Sequence, residues 1–226
     1  MRLVIFDVDG TLTDTVTIDA HCFLRAFAHV CGFAAVDPNW SHYHNATDAG
    51  IFYEVFASRM GHAPSLSETS KFRDYLVELF RAAAREAPFT AVAGAPQLLD
   101  RLHASEAYRV ALATGCWRES ARVKMASAGM EYDAYPSASA DDAPEREAIM
   151  QLAVERAAER YGCVADAIYV GDGIWDARAC RVLGIPFIGI GKAASAAKLR
   201  AEGAVEVLPD FSDSDWLLQI LQSIKS

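Results

Sequence analysis

No stretch of this 226-residue sequence approaches the roughly 18–20 consecutive apolar residues that a membrane-spanning helix needs. Positive charge is also in short supply: 21 Lys and Arg stand against 30 Asp and Glu, a formal net charge of −9. An acidic surface repels phosphodiester backbones and anionic lipid, so neither nucleic acid nor a membrane is expected as a partner. Any anion site on such a chain must be made locally positive by a metal, backbone N–H groups or a few cations. Cysteine is sparse and badly spaced for pairing. Cys22, Cys31, Cys116, Cys163 and Cys180 are odd in number and contain no C-x-x-C. A disulfide framework or structural zinc site is therefore not expected, and a reducing, cytoplasmic setting is. The opening Met1–Phe6 runs straight into Asp7 without the length or cleavage region of an export leader. A glycine-rich nucleotide loop is missing as well. Gly189-Ile190-Gly191-Lys192 fails both standard templates, since Ala193 replaces the Ser/Thr and Pro186 the first glycine.

What is present is ordinary globular composition, 52% hydrophobic and 23% charged, enough for a sizeable core in one domain or one domain with a small insertion. Short apolar runs without alternation mark strands buried on both faces. They are Leu3–Phe6, Arg109–Ala113, Ala167–Val170 and Ile185–Ile188, with a weaker one at Ala204–Val207. Helical periodicity fills the intervals around 95–105, 119–129, 144–161, 174–183 and 194–201. This alternation predicts an α/β fold, a Rossmann-like parallel sheet with helices on both faces. Residues 16–88 break the rhythm with helical patterns at 17–31, 46–60 and 67–87. The expected organisation is thus a core of 1–15 and 89–226 carrying a helical insertion at 16–88, with the sheet resuming near Val92-Ala93-Gly94.

Acidic side chains gather where strands end. Asp7 and Asp9 follow the first strand, and alternation would put both on one side if the strand persists. Two carboxylates so close need a cation or a shared proton, although Asp9-Gly10 is also ordinary turn chemistry. Asp172, between Gly171 and Gly173, follows the strand at 167–170, with Asp176 beyond it. Asp7, Asp9 and Asp172 converging over the ends of parallel strands, where open α/β sheets bind ligands, suit magnesium, a hard cation that takes oxygen donors. The middle strand ends at Thr114-Gly115, a hydroxyl and a flexible N–H able to hold a phosphate oxygen.

Together these segments resemble the haloacid dehalogenase superfamily, specifically its phosphatase-like members. Asp7-Val8-Asp9-Gly10-Thr11-Leu12 matches the first signature, Thr114-Gly115 the second, and Gly171-Asp172-Gly173-Ile174-Trp175-Asp176 the fourth. The insertion at 16–88 looks like the small helical cap of one subclass, phosphoglycolate phosphatases among them. The family's basic third signature departs from its usual Lys-Pro form. Arg146, in Asp141–Glu147, is the candidate, since a guanidinium suits bidentate phosphate contact, and Lys124 is its rival.

The resemblance implies a hydrolase that cleaves a small phosphorylated metabolite through an aspartyl-phosphate. Asp7 would be the nucleophile and Asp9 the general acid and base. A magnesium ion would sit on the Asp7 carboxylate, the Asp9 backbone carbonyl and Asp172. Thr114, Gly115 and Arg146 would hold the transferring oxygens, Thr11 would orient Asp9, and Asp176 would steady the metal loop or the cation. Asp9 favours phosphoryl over carbon–halogen chemistry, because halide needs no proton to leave. A sugar-phosphate mutase using the same intermediate, or a non-catalytic relative, is the alternative. In the insertion, His42, His44 and Asp48 have a spacing compatible with a second metal. A polar loop with Thr47 or Asp48 near a helix N-cap explains them more simply, and His44 or Asn45 is a candidate for facing substrate. The insertion's sole lysine, Lys71, lies away from the loop where a Schiff-base lysine for phosphonate cleavage would be expected.

Overall fold

The computed structural model describes residues 1–162 and 166–224, so Cys163 lies outside it. Six parallel strands, β1 (Arg2–Phe6), β2 (Tyr108–Ala113), β3 (Ser137–Ala138), β4 (Asp166–Gly171), β5 (Phe187–Ile190) and β6 (Glu206–Leu208), form one sheet in the order β3-β2-β1-β4-β5-β6. The order reverses at β1, flanked by β2 and β4, which places its C-terminal end at the switch point where open α/β sheets form a crevice.

Alternation along the strands splits the core into two layers. Val4, Phe6, Val110, Leu112, Ile168 and Val170 pack on one face against α4 (Ala95–His103), α5 (Arg118–Ser127) and α9 (Ser214–Ser223). Leu3, Ile5, Ala111, Ala113 and Tyr169 pack on the other against α6 (Arg146–Tyr161), α7 (Ile174–Leu183) and α8 (Ala193–Ala201). Helices cover both faces, as the sequence pattern predicts for a parallel sheet.

Between β1 and β2 the chain forms α1 (Val16–Ala26), a π-turn at Phe27–Cys31, α2 (Asp48–Met60) and α3 (Leu66–Glu86). These helices bury a third, aromatic cluster around Phe23, Phe27, Phe52 and Phe72, which also takes in Trp117 and Ala140 from the loops beyond β2 and β3. The segment is therefore packed onto the sheet's C-terminal rim rather than held by its connections alone. Ser65 and Glu68 form a capping box at the start of α3. The sheet does not resume at residues 92–94. Ala91 makes only an isolated bridge to Thr13, and Ala95 already opens α4. Among the described residues no helix is long and apolar enough to cross a membrane.

Candidate active site

Asp7 extends the parity of Leu3 and Ile5 one step past β1. Its N–H still donates to Val170 O at 3.0 Å, which turns its side chain towards α6 and α7. There Arg146, the first residue of α6, donates from Nη1 to Asp7 Oδ1 at 3.3 Å, and its Nε lies 3.3 Å from Asp176 Oδ1 without hydrogen-bond alignment. Arg146 Nη2 also points to the Ala46 carbonyl at 3.3 Å. Asp176 is fully buried, accepting from Gly173 N–H at 3.1 Å and from the Tyr169 hydroxyl at 3.4 Å.

One carboxylate oxygen from each of Asp7, Asp172 and Asp176 lies within 4.8 Å of the others. Burial, reinforced by Asp176 and opposed by Arg146, pushes the Asp7 carboxyl up to about 7. Burial followed by Asp7 and Asp176 holds Asp172 well above the usual carboxylate range. Three converging oxygens, with one guanidinium against two of the carboxylates, are a poor arrangement for anions alone and a good one for a hard divalent cation. Gly10 fits this grouping closely. It has φ +72°, and a Cβ there would run into the Asp172 carboxylate. The Asp9 backbone carbonyl accepts no hydrogen bond among the described residues, which leaves it available as a further oxygen donor.

Asp9 departs from the alternation expected of it. The strand ends at Phe6, Val8 and Leu12 turn into the core, and Gly10 N–H closes the turn on Thr13 O at 2.8 Å. The Asp9 side chain is thereby sent towards α5, away from Arg146. Lys124 Nζ sits 2.9 Å from both Asp9 oxygens, is paired with Asp19 of α1, and lies 4.3 Å from the centre of the Phe80 ring. The Cys116 thiol and the Thr15 hydroxyl also donate to Asp9. Burial alone would raise Asp9, yet the Lys124 ammonium and these donors hold it below its ordinary value. Burial likewise opposes the charge on Lys124, but Asp19 and Asp9 hold its pKa well above normal. Asp9, Asp19 and Cys116 also draw together, but the ammonium bonded to all three occupies that position.

The two cations weighed in the sequence thus separate. Arg146 reaches Asp7, and Lys124 reaches Asp9. Thr15, not Thr11, is the hydroxyl on Asp9, because Thr11 Oγ1 is buried without a partner. Thr15 itself is fixed by Thr13 at 2.6 Å, and Thr13 donates to Val8 O at 3.1 Å. Thr114 accepts from Cys116 N–H at 3.1 Å. A Cβ on Gly115 would stand 2.7 Å from Arg146 Nη2 and 3.2 Å from Ala46 O, so glycine is what lets the guanidinium and the helical segment close in.

A cavity of about 90 Å³ is lined by Asp7, Asp9, Asp172, Thr114, Gly115 and Arg146 on the sheet side, and by residues of α1, α2 and their connection on the other. Asp19 and Asp48 are among the latter. Thr47 caps α2 by accepting Gly50 N–H at 3.1 Å, which leaves Asp48 at the first helical position facing inward. His42 is paired with Asp37 at 2.7 Å in an exposed turn, while His44 and Asn45 line a neighbouring groove. His42, His44 and Asp48 therefore do not gather around a second metal. Asp19, Cys116 and Thr15 were not singled out from the sequence, and Asp48 was expected only as a second-metal ligand or near a helix N-cap. The one visible signal was at Lys124, a charge on the face of α5 that otherwise buries Ser120, Ala121 and Met125.

A family model described as haloacid dehalogenase-like hydrolase matches residues 1–184. No curated protein matches the sequence. Among solved structures, a hydrolase from Pseudomonas syringae superposes with TM-score 0.74 at 21% identity, covering 100% of both chains. A putative beta-phosphoglucomutase from Bacteroides vulgatus gives 0.69 at 18% identity, covering 99% of this chain and 89% of that one. A predicted phosphoglycolate phosphatase from Haemophilus somnus gives 0.66 at 16% identity, covering 97% of each.

Proposed function

Because the chain belongs to the haloacid dehalogenase-like hydrolase family, we propose that it is a magnesium-dependent phosphatase that hydrolyses a small phosphate monoester through an aspartyl-phosphate on Asp7. The observation that carries this reading is the floor of the cavity. There a buried Asp7 meets the Arg146 guanidinium at 3.3 Å and shares a sub-4.8 Å neighbourhood with Asp172 and Asp176. In this reading residues 16–88 are a cap over the sheet's rim, and Asp7, Asp172 and the Asp9 carbonyl hold the metal. When bound there, the cation would offset repulsion between the Asp7 carboxylate and the phosphate and would polarise the phosphoryl oxygens.

Arg146, Thr114 and the Gly115 N–H hold the equatorial oxygens in line for attack. An Asp7 oxygen bonds to phosphorus as the ester P–O bond breaks, and Asp9 gives a proton to the departing alkoxide. Water then bonds to phosphorus, passes a proton to Asp9, and the Asp7–phosphorus bond breaks to free inorganic phosphate. As held beside Lys124, Asp9 is in the carboxylate form that serves as base. Its acid role requires it to swing away from that ammonium and carry a proton to the leaving oxygen. Asp176 and Tyr169 keep Arg146 and the loop at 171–173 in register.

Phosphate release from a panel of phosphate monoesters, with Mg2+ or with EDTA, tests this directly. Metal-dependent release that falls about a thousandfold or more in Asp7→Asn is expected for loss of a nucleophile. Release that persists in that variant, or that ignores the metal, sinks the assignment. Interconversion of sugar phosphates without net release would mark a mutase instead.

A further inference from the structure

The helical side of the cavity is acidic. Asp19 and Asp48 line it, and no lysine, arginine or histidine from residues 16–88 does so. Asp48 is the less compensated of the two. It is only 6% exposed, and its Oδ2 accepts the Trp117 N–H at 2.9 Å. Its Oδ1 takes no hydrogen bond from any described residue, and it forms no ion pair, although the residue borders the cavity. Lys124, the nearest ammonium, is already committed to Asp9 and Asp19. Asp9, Asp19 and Asp48 thus stand against a single cation on this side, whereas on the floor Arg146 already faces Asp7 and Asp176 and the metal of the proposed function would balance the rest. Burial, reinforced by Asp19 and opposed by Lys124, holds the Asp48 carboxyl well above the usual carboxylate range, so an incoming cation favours its ionised form. Asp48 sits on the cavity side where the part of the ester beyond phosphorus would lie. Aromatic rings complete the wall. Phe23 and Trp40 pack edge to face at 5.6 Å, and Trp175 lies opposite. Carboxylates beside aromatic faces are the surroundings that an organic ammonium prefers.

We infer that the substrate is a phosphate monoester of an amino alcohol, whose ammonium group is received by Asp48 on the wall that Phe23 and Trp40 complete. This rests on the phosphatase reading and narrows it. A second phosphate or a carboxylate on the leaving group would meet carboxylates with no cation to receive it. Bisphosphates and phosphoglycolate are therefore disfavoured, along with the mutase cycle that needs a bisphosphate. The cavity's small size also calls for a compact group, well below the roughly 300–1,000 Å³ of sites for larger ligands. Asp48 N–H donates to Gly115 O at 2.7 Å, so its carboxylate stands one loop away from the phosphate seat, within the span of a short tether.

Three esters of matched size test the assignment with the magnesium-loaded full chain: aminoethyl, hydroxyethyl and carboxymethyl phosphate. The expected order of kcat/KM is aminoethyl first, by about tenfold or more over hydroxyethyl, as one desolvated charge contact provides, with carboxymethyl last. In Asp48→Asn, which keeps an acceptor for Trp117 N–H, the aminoethyl-to-hydroxyethyl ratio should collapse to within about threefold. Equal or better turnover of the hydroxyethyl or carboxymethyl ester overturns the ammonium assignment and leaves the phosphatase reading standing. Retention of the full ratio in a folded Asp48→Asn overturns the role of Asp48. Failure of all three esters and of a generic aryl phosphate overturns both readings together. Should circular dichroism show that Asp48→Asn does not fold, the wild-type order decides by itself.

Discussion

The Lys124 ammonium lies 2.9 Å from the Asp9 carboxylate, and none of the lysine side chain reaches solvent. A lysine buried this completely is tolerable only while its partners remain charged. Asp9 and Asp19 meet that need from opposite directions, one on the turn after β1 and the other on α1. The same contact biases Asp9 towards its ionised form, so a residue that never enters the cavity sets the proton affinity of one that lines it.

Lys124→Met should therefore change both stability and the pH profile. Two buried carboxylates lose their cation, which costs about 3–5 kcal/mol and appears as a lower melting temperature. Lys124 lowers the Asp9 pKa, so its removal raises it. The base form of Asp9 then forms only at higher pH, and the acidic limb of the rate profile should move upward. A profile left in place, in protein that still folds, would contradict the coupling.

Metal binding should stabilise the chain more at neutral than at acid pH. The folded-state pKa of Asp7 is raised from 3.8 to about 7. Metal-free protein thus binds more protons folded than unfolded between those values, and its stability falls as pH rises through that window. A divalent cation needs the ionised carboxylate and competes with the proton. The melting-temperature gain on adding Mg2+ should be small near pH 5 and should grow towards pH 8, with protons released on binding. A gain independent of pH would place the metal somewhere other than on Asp7.

Gly115→Ala should harm turnover without unfolding the protein. The added methyl meets Arg146 Nη2 at 2.7 Å, and the end of a flexible side chain can retreat. Stability should change by no more than about 1 kcal/mol, while phosphate release drops by about tenfold or more as the guanidinium leaves its station. Wild-type rates from this variant would argue that Arg146 does not need its present position.

Much of this was written locally. The runs at 3–6, 109–113 and 167–170 are buried strands because their neighbours on both sides are apolar helices, and such strands carry no alternation to obscure them. Asp7, Asp172, Asp176 and Arg146 follow from strand and helix ends, where position along the chain fixes position in space. β3 is two residues long and owes its existence to pairing with Leu112 and Ala113, a contact without any local signature. β5 runs from Phe187 to Ile190, two residues beyond the predicted start, because Pro186 supplies no N–H and contributes its carbonyl to Tyr169 instead. The helix α9 lies beyond the helical intervals predicted from the sequence, although its stripe of Leu217, Ile220 and Leu221, all buried, has helical spacing.

The group of side chains around Asp9 and its lysine illustrates the limit. Thr15, Cys116, Lys124 and Asp19 come from the turn after β1, the loop after β2, α5 and α1. No spacing rule unites them. Their meeting depends on where the helical segment docks, and the alternation that would have kept Asp9 beside Asp7 stops as soon as the strand does.

That docking has a kinetic corollary. The first turn of α2 is stitched to the opposite wall by Asp48 N–H to Gly115 O at 2.7 Å, Trp117 N–H to Asp48 Oδ2 at 2.9 Å and the Thr47 hydroxyl to Pro144 O at 2.7 Å. Any excursion that parts the two walls must unfasten all three and wet the indole of Trp117, which is 2% exposed. The deuterium uptake of the Trp117 amide is accordingly a clock for the admission of ligand, and the fluorescence of its ring a second hand on the same clock.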